Sequence, residues 1–140
     1  MIQGMNVPMG KACSPDKAPG HWVLARLGKR VLRPGGLELT RCMLETLDIG
    51  EQDAVVEFAP GLGATARLTL ARNPGSYTAI ERDQKAADSV RRLLDGESRR
   101  CLVGRAESTG LPDGCATVVY GEAMLTMQSL TAKSRIVEEA

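Results

Sequence analysis

Glu57, Gly61, Gly63 and Glu81 are the residues of this 140-residue chain whose types and spacing best suit chemistry. A short apolar run, Val55-Val56, ends in the acid Glu57. The turn Ala59-Pro60-Gly61-Leu62-Gly63 follows, then a small-residue stretch from Ala64 to Arg72 and a turn at Asn73-Pro74-Gly75. A second apolar run, Tyr77 to Ile80, ends in another acid, Glu81. A turn from strand to helix leaves backbone N–H groups without intrahelical partners. Glycine lets a ligand approach such backbone closely, and Gly61 and Gly63 supply this. Glu81 lies eighteen positions after Gly63. An acid there can accept hydrogen bonds from both hydroxyls of a ribose. A hydrogen bond to a charged acceptor contributes about 1.5–3 kcal/mol, so Glu81 is a candidate nucleoside anchor.

A strand–turn–helix–strand unit is needed to hold these four residues. The first strand is expected at about Asp53–Phe58, the helix from near Gly63, and the second strand at Ser76–Glu81. Asp83 suits the N-cap of a helix running to Leu94, with Ala86, Ala87, Val90, Leu93 and Leu94 apolar. A short third strand follows at Arg100–Val103, a loop at Gly104–Gly114, and a fourth strand at Cys115–Tyr120. Ser129–Ala140 is polar and helix-forming. Ahead of the first strand, Leu37–Asp48 has the apolar spacing of an amphipathic helix, with Gly50 near its expected C-terminal cap. His21–Leu32 reads as another such helix, and residues 1–20, with Pro8, Pro15 and Pro19, as irregular. Strands alternate with helices, so the fold class is α/β with a parallel sheet and helices on both faces. Three segments are expected: an irregular 1–20, a helical leader 21–50, and an α/β domain 51–140.

Composition narrows the partners. The formal net charge is +1, which does not suggest a polyanion as partner, and aromatics make up 3% of residues, too few for base-stacking platforms. Cys13, Cys42, Cys101 and Cys115 are scattered without a CxxC pair, and His21 is the single histidine, so no metal site is expected. The cysteines read as reduced and the chain as cytoplasmic. No apolar run reaches the roughly 18 residues of a membrane span, and the first residues lack the charged and apolar regions of a secretory signal. His21 reads as a surface residue at a helix start and Trp22 as core.

Two ligand classes fit the glycine turn. Gly61-Leu62-Gly63-Ala64-Thr65-Ala66 matches G-x-G-x-x-A, the dinucleotide fingerprint, so an NAD-dependent oxidoreductase is one reading. Glu57 argues against it. A carboxylate at the end of the first strand would sit near a pyrophosphate at the helix N-terminus, and like charges there are costly. S-adenosylmethionine fits the acid better, because it carries a sulfonium and an ammonium beside its ribose.

The ordered set of motifs resembles the class I S-adenosylmethionine-dependent methyltransferases of the bacterial small-molecule type. Glu57-Phe58-Ala59-Pro60-Gly61-Leu62-Gly63 is similar to their E/D-x-G-x-G-x-G motif, and Ile80-Glu81 to their second motif. Gly104-Arg105-Ala106-Glu107 with Leu111-Pro112-Asp113-Gly114 resembles the third, and Val118–Ala123 occupies the place of the fourth. The resemblance covers about residues 30–140. It implies that 51–140 is a partial S-adenosylmethionine-binding Rossmann-like domain, with strand order 3-2-1-4 over this length. Glu57 would hold the ammonium, directly or through water, and the backbone at Ala59, Pro60, Gly61 and Gly63 would lie against the methionine part. Glu81 would bind the ribose, with Arg82 beside the adenine. Ala106 and Glu107 would border the adenine, and Tyr120 and Gly121 would face the methyl group. Glu122 and Tyr120 could sit at the methyl acceptor or serve structure alone.

Three residues depart from the family pattern. Ala59 stands where a glycine is usual, which a negative φ would tolerate. Arg105 stands where an aspartate often contacts the adenine, and Thr117 where an aspartate often precedes the fourth strand's core. The family sheet has seven strands, whereas this sequence ends in the helix that precedes strand five. The fourth strand would then be an edge, and an uncovered apolar edge invites self-association, by strand-four pairing with a second copy or by exchange of the N- or C-terminal helices. The resemblance therefore implies a methyltransferase for a small-molecule acceptor, self-associating, and in doubt as an active enzyme at this length. The alternative is a non-catalytic cofactor-binding or dimerising remnant.

Overall fold

The structure is a computed structural model, and it describes residues 33–140. The irregular segment 1–20, the helix expected at His21–Leu32, and the readings of Cys13, His21 and Trp22 lie outside the described residues. Arg33–Ala140 forms one compact unit.

The first helix, α1 (Gly36–Leu47), follows the Arg33-Pro34-Gly35-Gly36 turn. Its inward stripe runs Thr40, Leu44 and Leu47, the i, i+4, i+7 spacing of one helical face. The helix ends at Asp48, which takes the left-handed conformation at φ 48°. Aspartate tolerates this region better than most residues, so Asp48 rather than Gly50 makes the C-terminal turn. The N–H of Gly50 instead donates to Asp53 Oδ2 at 2.9 Å.

Strand β1 (Ala54–Phe58) is buried from Val55 onward. Helix α2 (Ala64–Leu70) is short, ending before Arg72, and strand β2 (Ser76–Glu81) begins and ends at its expected residues. Helix α3 (Gln84–Arg91) is capped by Asp83, whose Oδ1 accepts the Ala86 N–H at 2.8 Å. Strand β3 spans Arg99–Val103. Strand β4 (Val118–Gly121) starts later than expected. The N–H of Cys115 donates to Pro112 O at 3.3 Å, closing a turn around Gly114 at φ 66°. That turn keeps Cys115 out of the strand. Helix α4 (Leu130–Glu139) completes the described chain, with Ser129 as its N-cap.

The four strands are parallel in the order β3-β2-β1-β4. This is the α/β architecture and strand order expected. Period-two alternation sends Val55 and Glu57 to one face of β1 and Val56 and Phe58 to the other. The first face packs with Leu44 of α1, Ala66 of α2, and Ala87 and Val90 of α3. The second packs with Ile80, Ala106 and Ile136 of α4. Helices thus cover both faces, and each fully buried aliphatic side chain contributes about 1.5–3 kcal/mol. Among the described residues β4 pairs only with β1. No described helix is long and apolar enough to cross a membrane.

Candidate functional site

In open parallel sheets the ligand crevice lies outside the carboxyl ends of the strands. Here those ends bring together the 59–63 turn after β1, Glu81-Arg82 after β2, the 104–107 loop after β3, and Glu122 after β4. In register, Phe58 pairs with Ile80 on one side and Gly121 on the other.

The turn is built from left-handed residues. Ala59, Gly61 and Gly63 have φ of 53°, 57° and 82°. Ala59 therefore does not meet the negative-φ condition that would make its methyl harmless. Its N–H donates to Ile80 O at 2.8 Å, which pins it despite the strain. The two glycines serve different ends. A Cβ at Gly61 would meet nothing within 4 Å, so its missing side chain opens space for a ligand. A Cβ at Gly63 would lie 2.6 Å from Leu93 Cδ1, so its missing side chain lets the 91–94 segment pack close. Pro60, between Ala59 and Gly61, is buried.

Glu81 is 7% exposed and locks the turn to the next strand. Its Oε2 accepts the Gly61 N–H at 3.0 Å and its Oε1 the Asp83 N–H at 2.9 Å. A carboxylate offers about four lone-pair sites, so each oxygen keeps capacity for a hydroxyl. Arg82, next to it, is exposed. Ala106 is buried, and Glu107 is paired with Arg105. A backbone N–H and then that arginine hold the Glu107 carboxyl below its usual range. Arg105, the departure noted in the sequence, thus orients the neighbouring acid.

Glu57 is 3% exposed, and its Oε2 accepts two tyrosine hydroxyls, Tyr77 at 2.5 Å and Tyr120 at 2.9 Å. Tyr120 Oη is also 2.6 Å from Thr69 Oγ1. Burial pushes the Glu57 carboxyl up to about 7, against the lowering effect of the two hydroxyls; Glu122 raises it further and Arg33 lowers it. Burial first, then the Glu57 charge, pushes both tyrosines upward, so they remain neutral donors. Tyr120 is thereby held by its hydroxyl in the core. Gly121 beside it has no room for a side chain, since a Cβ would lie 3.2 Å from Met124 and from Phe58 Cβ.

A second cluster lies beyond β4. Glu122 Oε1 accepts the Thr65 hydroxyl at 2.6 Å, and Oε2 accepts the Thr40 hydroxyl at 2.7 Å. Arg33 Nε is 2.6 Å from Glu122 Oε2 and 2.7 Å from Thr40 Oγ1. Residue type and spacing point to Glu122 but not to Arg33, Thr40 or Tyr77. A threonine on the apolar stripe of α1 was the available signal, because a buried hydroxyl needs a partner.

An open groove of about 480 Å³ lies at the opposite strand ends, lined by residues that include Glu51, Asn73, Asp95 and Arg99. It is far from the turn in the fold, and Arg99 there is already engaged by Asp95 and Asn73.

No protein-family model matches the chain. An uncharacterized protein of Haemophilus influenzae is 34% identical over 125 residues, which are 86% of this chain and 49% of that protein. Ribosomal RNA small subunit methyltransferase A of Maridesulfovibrio salexigens is 30% identical over 70 residues, 50% of this chain and 26% of that protein. The chain therefore spans about half or less of the length of these curated relatives. A solved S-adenosylmethionine dependent methyltransferase from Mesorhizobium loti matches with a TM-score of 0.58 at 16% identity, covering 74% of this chain and 46% of that one. A dimethyladenosine transferase from Plasmodium falciparum matches with a TM-score of 0.61 at 15% identity, covering 79% of this chain and 38% of that one. At these identities the likeness is one of fold.

Proposed function

Since the chain carries the fold of the class I S-adenosylmethionine-dependent methyltransferases, we propose that it binds S-adenosylmethionine at the strand ends and serves methyl transfer to a small-molecule acceptor. The observation that carries this reading is the Glu81–Gly61 bond. It makes the ribose-binding acid and the open glycine one rigid unit, and rigid placement is what positioning catalysis requires. The residues fit the group. Gly61 leaves an open cradle, and Glu81 keeps lone pairs for the ribose hydroxyls. Glu57, when ionised, favours a cation on the β1 side, whereas the Glu122 charge is already paired with Arg33.

When bound, the cofactor supplies an electrophilic methyl on a sulfonium. The backbone of Ala59, Pro60, Gly61 and Gly63 would line its methionine part, Glu57 would act on its ammonium through charge or water, and Glu81 would hold the ribose. Arg82, Ala106 and Glu107 would border the adenine. Gly121 would face the methyl group with the ring of Tyr120, whose hydroxyl is already committed to Thr69 and Glu57. These residues bind, orient and exclude water; we assign none of them as a general base.

Two of the similar proteins are named for RNA or adenosine methylation. The net charge of +1 supports a small acceptor here instead, because a polyanion is held mainly by a basic surface. A cytoplasmic setting and self-association, along the side of β4 that is unpaired among the described residues or by helix exchange, belong to the same proposal. Isothermal titration with S-adenosylhomocysteine tests the cofactor reading. Micromolar binding is expected, and no heat at millimolar ligand would refute it. Preferential binding of NADH would favour the oxidoreductase alternative. Light scattering tests self-association, which a clean monomer at micromolar protein would exclude.

A further inference from the structure

The cluster beyond β4 is costly for the fold and joins distant segments. Arg33 and Glu122 side chains are 14% and 15% exposed. A largely buried ion pair gives back in attraction much of what its desolvation costs, so stability alone does not account for it. The chain bends sharply to present Glu122. Ala123 beside it takes a left-handed φ of 53°, and Gly121 is closed in by Met124 and Phe58. Strain of this kind collects where a side chain must be aimed. The aim is definite: one carboxylate oxygen goes to Thr65 in the first turn of α2, the other to Thr40 and Arg33 at the start of α1.

The position along the sheet says which part of a ligand this cluster meets. From β3 to β4 the strand ends span three gaps of about 4.8 Å, roughly 14 Å in all. That is the scale of a nucleoside carrying an amino-acid tail. Glu81 stands at β2 and the Arg105–Glu107 pair beyond β3, so the nucleoside half belongs to that side. On the cofactor reading the tail would lie on the side of β1 and β4, where Glu122 stands. Arg33 Nε and Nη2 face Thr40 and Glu122, while Nη1 has no hydrogen-bond partner among the described residues.

Resting on the cofactor reading above, we infer that Glu122 is a positioning residue that fixes Arg33 so that the pair receives the amino-acid end of the ligand. Arg33 is the group that meets the ligand's carboxylate, and Glu122 acts through it. The guanidinium is planar and presents its donors in a fixed fork, so losing Glu122 misplaces it without removing its charge.

The test compares two ligands by isothermal titration: S-adenosylhomocysteine, and 5′-methylthioadenosine, which lacks the amino-acid part. In Glu122→Gln, affinity for the first is expected to fall at least tenfold, while affinity for the second changes less than twofold. Arg33→Gln should show the same split, and the double variant should be no worse than Arg33→Gln alone. Arg33→Gln also serves as the test if Glu122→Gln fails to fold by circular dichroism. Equal loss for both ligands, or no loss for either, would overturn the inference while leaving the cofactor reading standing. Failure of the unaltered protein to bind either ligand would instead sink the cofactor reading, and this inference with it.

Discussion

Glu57→Gln should make the protein more stable at alkaline pH, with a much smaller effect near pH 5. The carboxyl is buried, and its value rises from 4.5 to about 7. Between those values the folded state holds more protons than the unfolded state, so stability falls as pH rises. The contribution is fully present below 4.5 and is lost as pH passes through about 7. The shift of roughly 2.5 units, at 1.36 kcal/mol each, corresponds to about 3 kcal/mol above pH 8. Glutamine keeps a carbonyl acceptor for the Tyr77 and Tyr120 hydroxyls but never ionises. Urea melts of both proteins at pH 5, 7 and 8.5 read the effect, and the difference should grow with pH toward about 3 kcal/mol, or about 10 °C in Tm. Other resolved groups leave this window clear. Asp53, Glu107 and Glu139 are shifted downward, so their stabilisation is lost only in more acid solution. The Cys101 thiol is pushed up by burial to about 11 and acts only above the window. A stability difference that stays constant from pH 5 to 8.5 would refute the assignment of Glu57 as the buried acid of this core.

Ala59→Gly should stabilise the chain by about 1 kcal/mol, since a left-handed alanine costs roughly 1–2 kcal/mol and glycine's added entropy returns part of it; thermal melts would show it, and a lower Tm would contradict it. Gly63→Ala should destabilise by about 2 kcal/mol, because the new methyl meets Leu93 at 2.6 Å in a left-handed backbone. Gly61→Ala should cost about 1 kcal/mol of stability, from backbone strain alone, yet weaken S-adenosylhomocysteine in titration; equal stability loss at the two glycines would undo the distinction drawn between them. Asp83→Ala should cost about 1 kcal/mol in denaturant melts through loss of the α3 cap, and an unchanged midpoint would count against that cap.

The sequence by itself determined the architecture of β1 through α3. Glycines, proline and the Asp83 cap act over a few residues, so their spacing states the local fold directly. Apolar runs ending in Glu57 and Glu81 likewise marked strand ends, and the parallel sheet followed from strands alternating with helices. The boundaries of β4 were less legible, because the turn at Gly114 and the hydrogen bond from Cys115 to Pro112 remove residues with good strand propensity from the ladder. What only the tertiary structure decided were the partners of buried polar groups. Tyr77 meets Glu57 because β1 and β2 pair in one register, and Arg33 meets Glu122 because α1 folds back over the end of β4. The division of labour between the two glycines was likewise invisible in their spacing. It depends on whether Leu93, thirty positions further on, packs against the turn. Short-range chemistry is written in residue type and spacing. The pairing of charges and hydroxyls across the fold depends on which segments the hydrophobic core brings together, and that is settled only when the chain is packed.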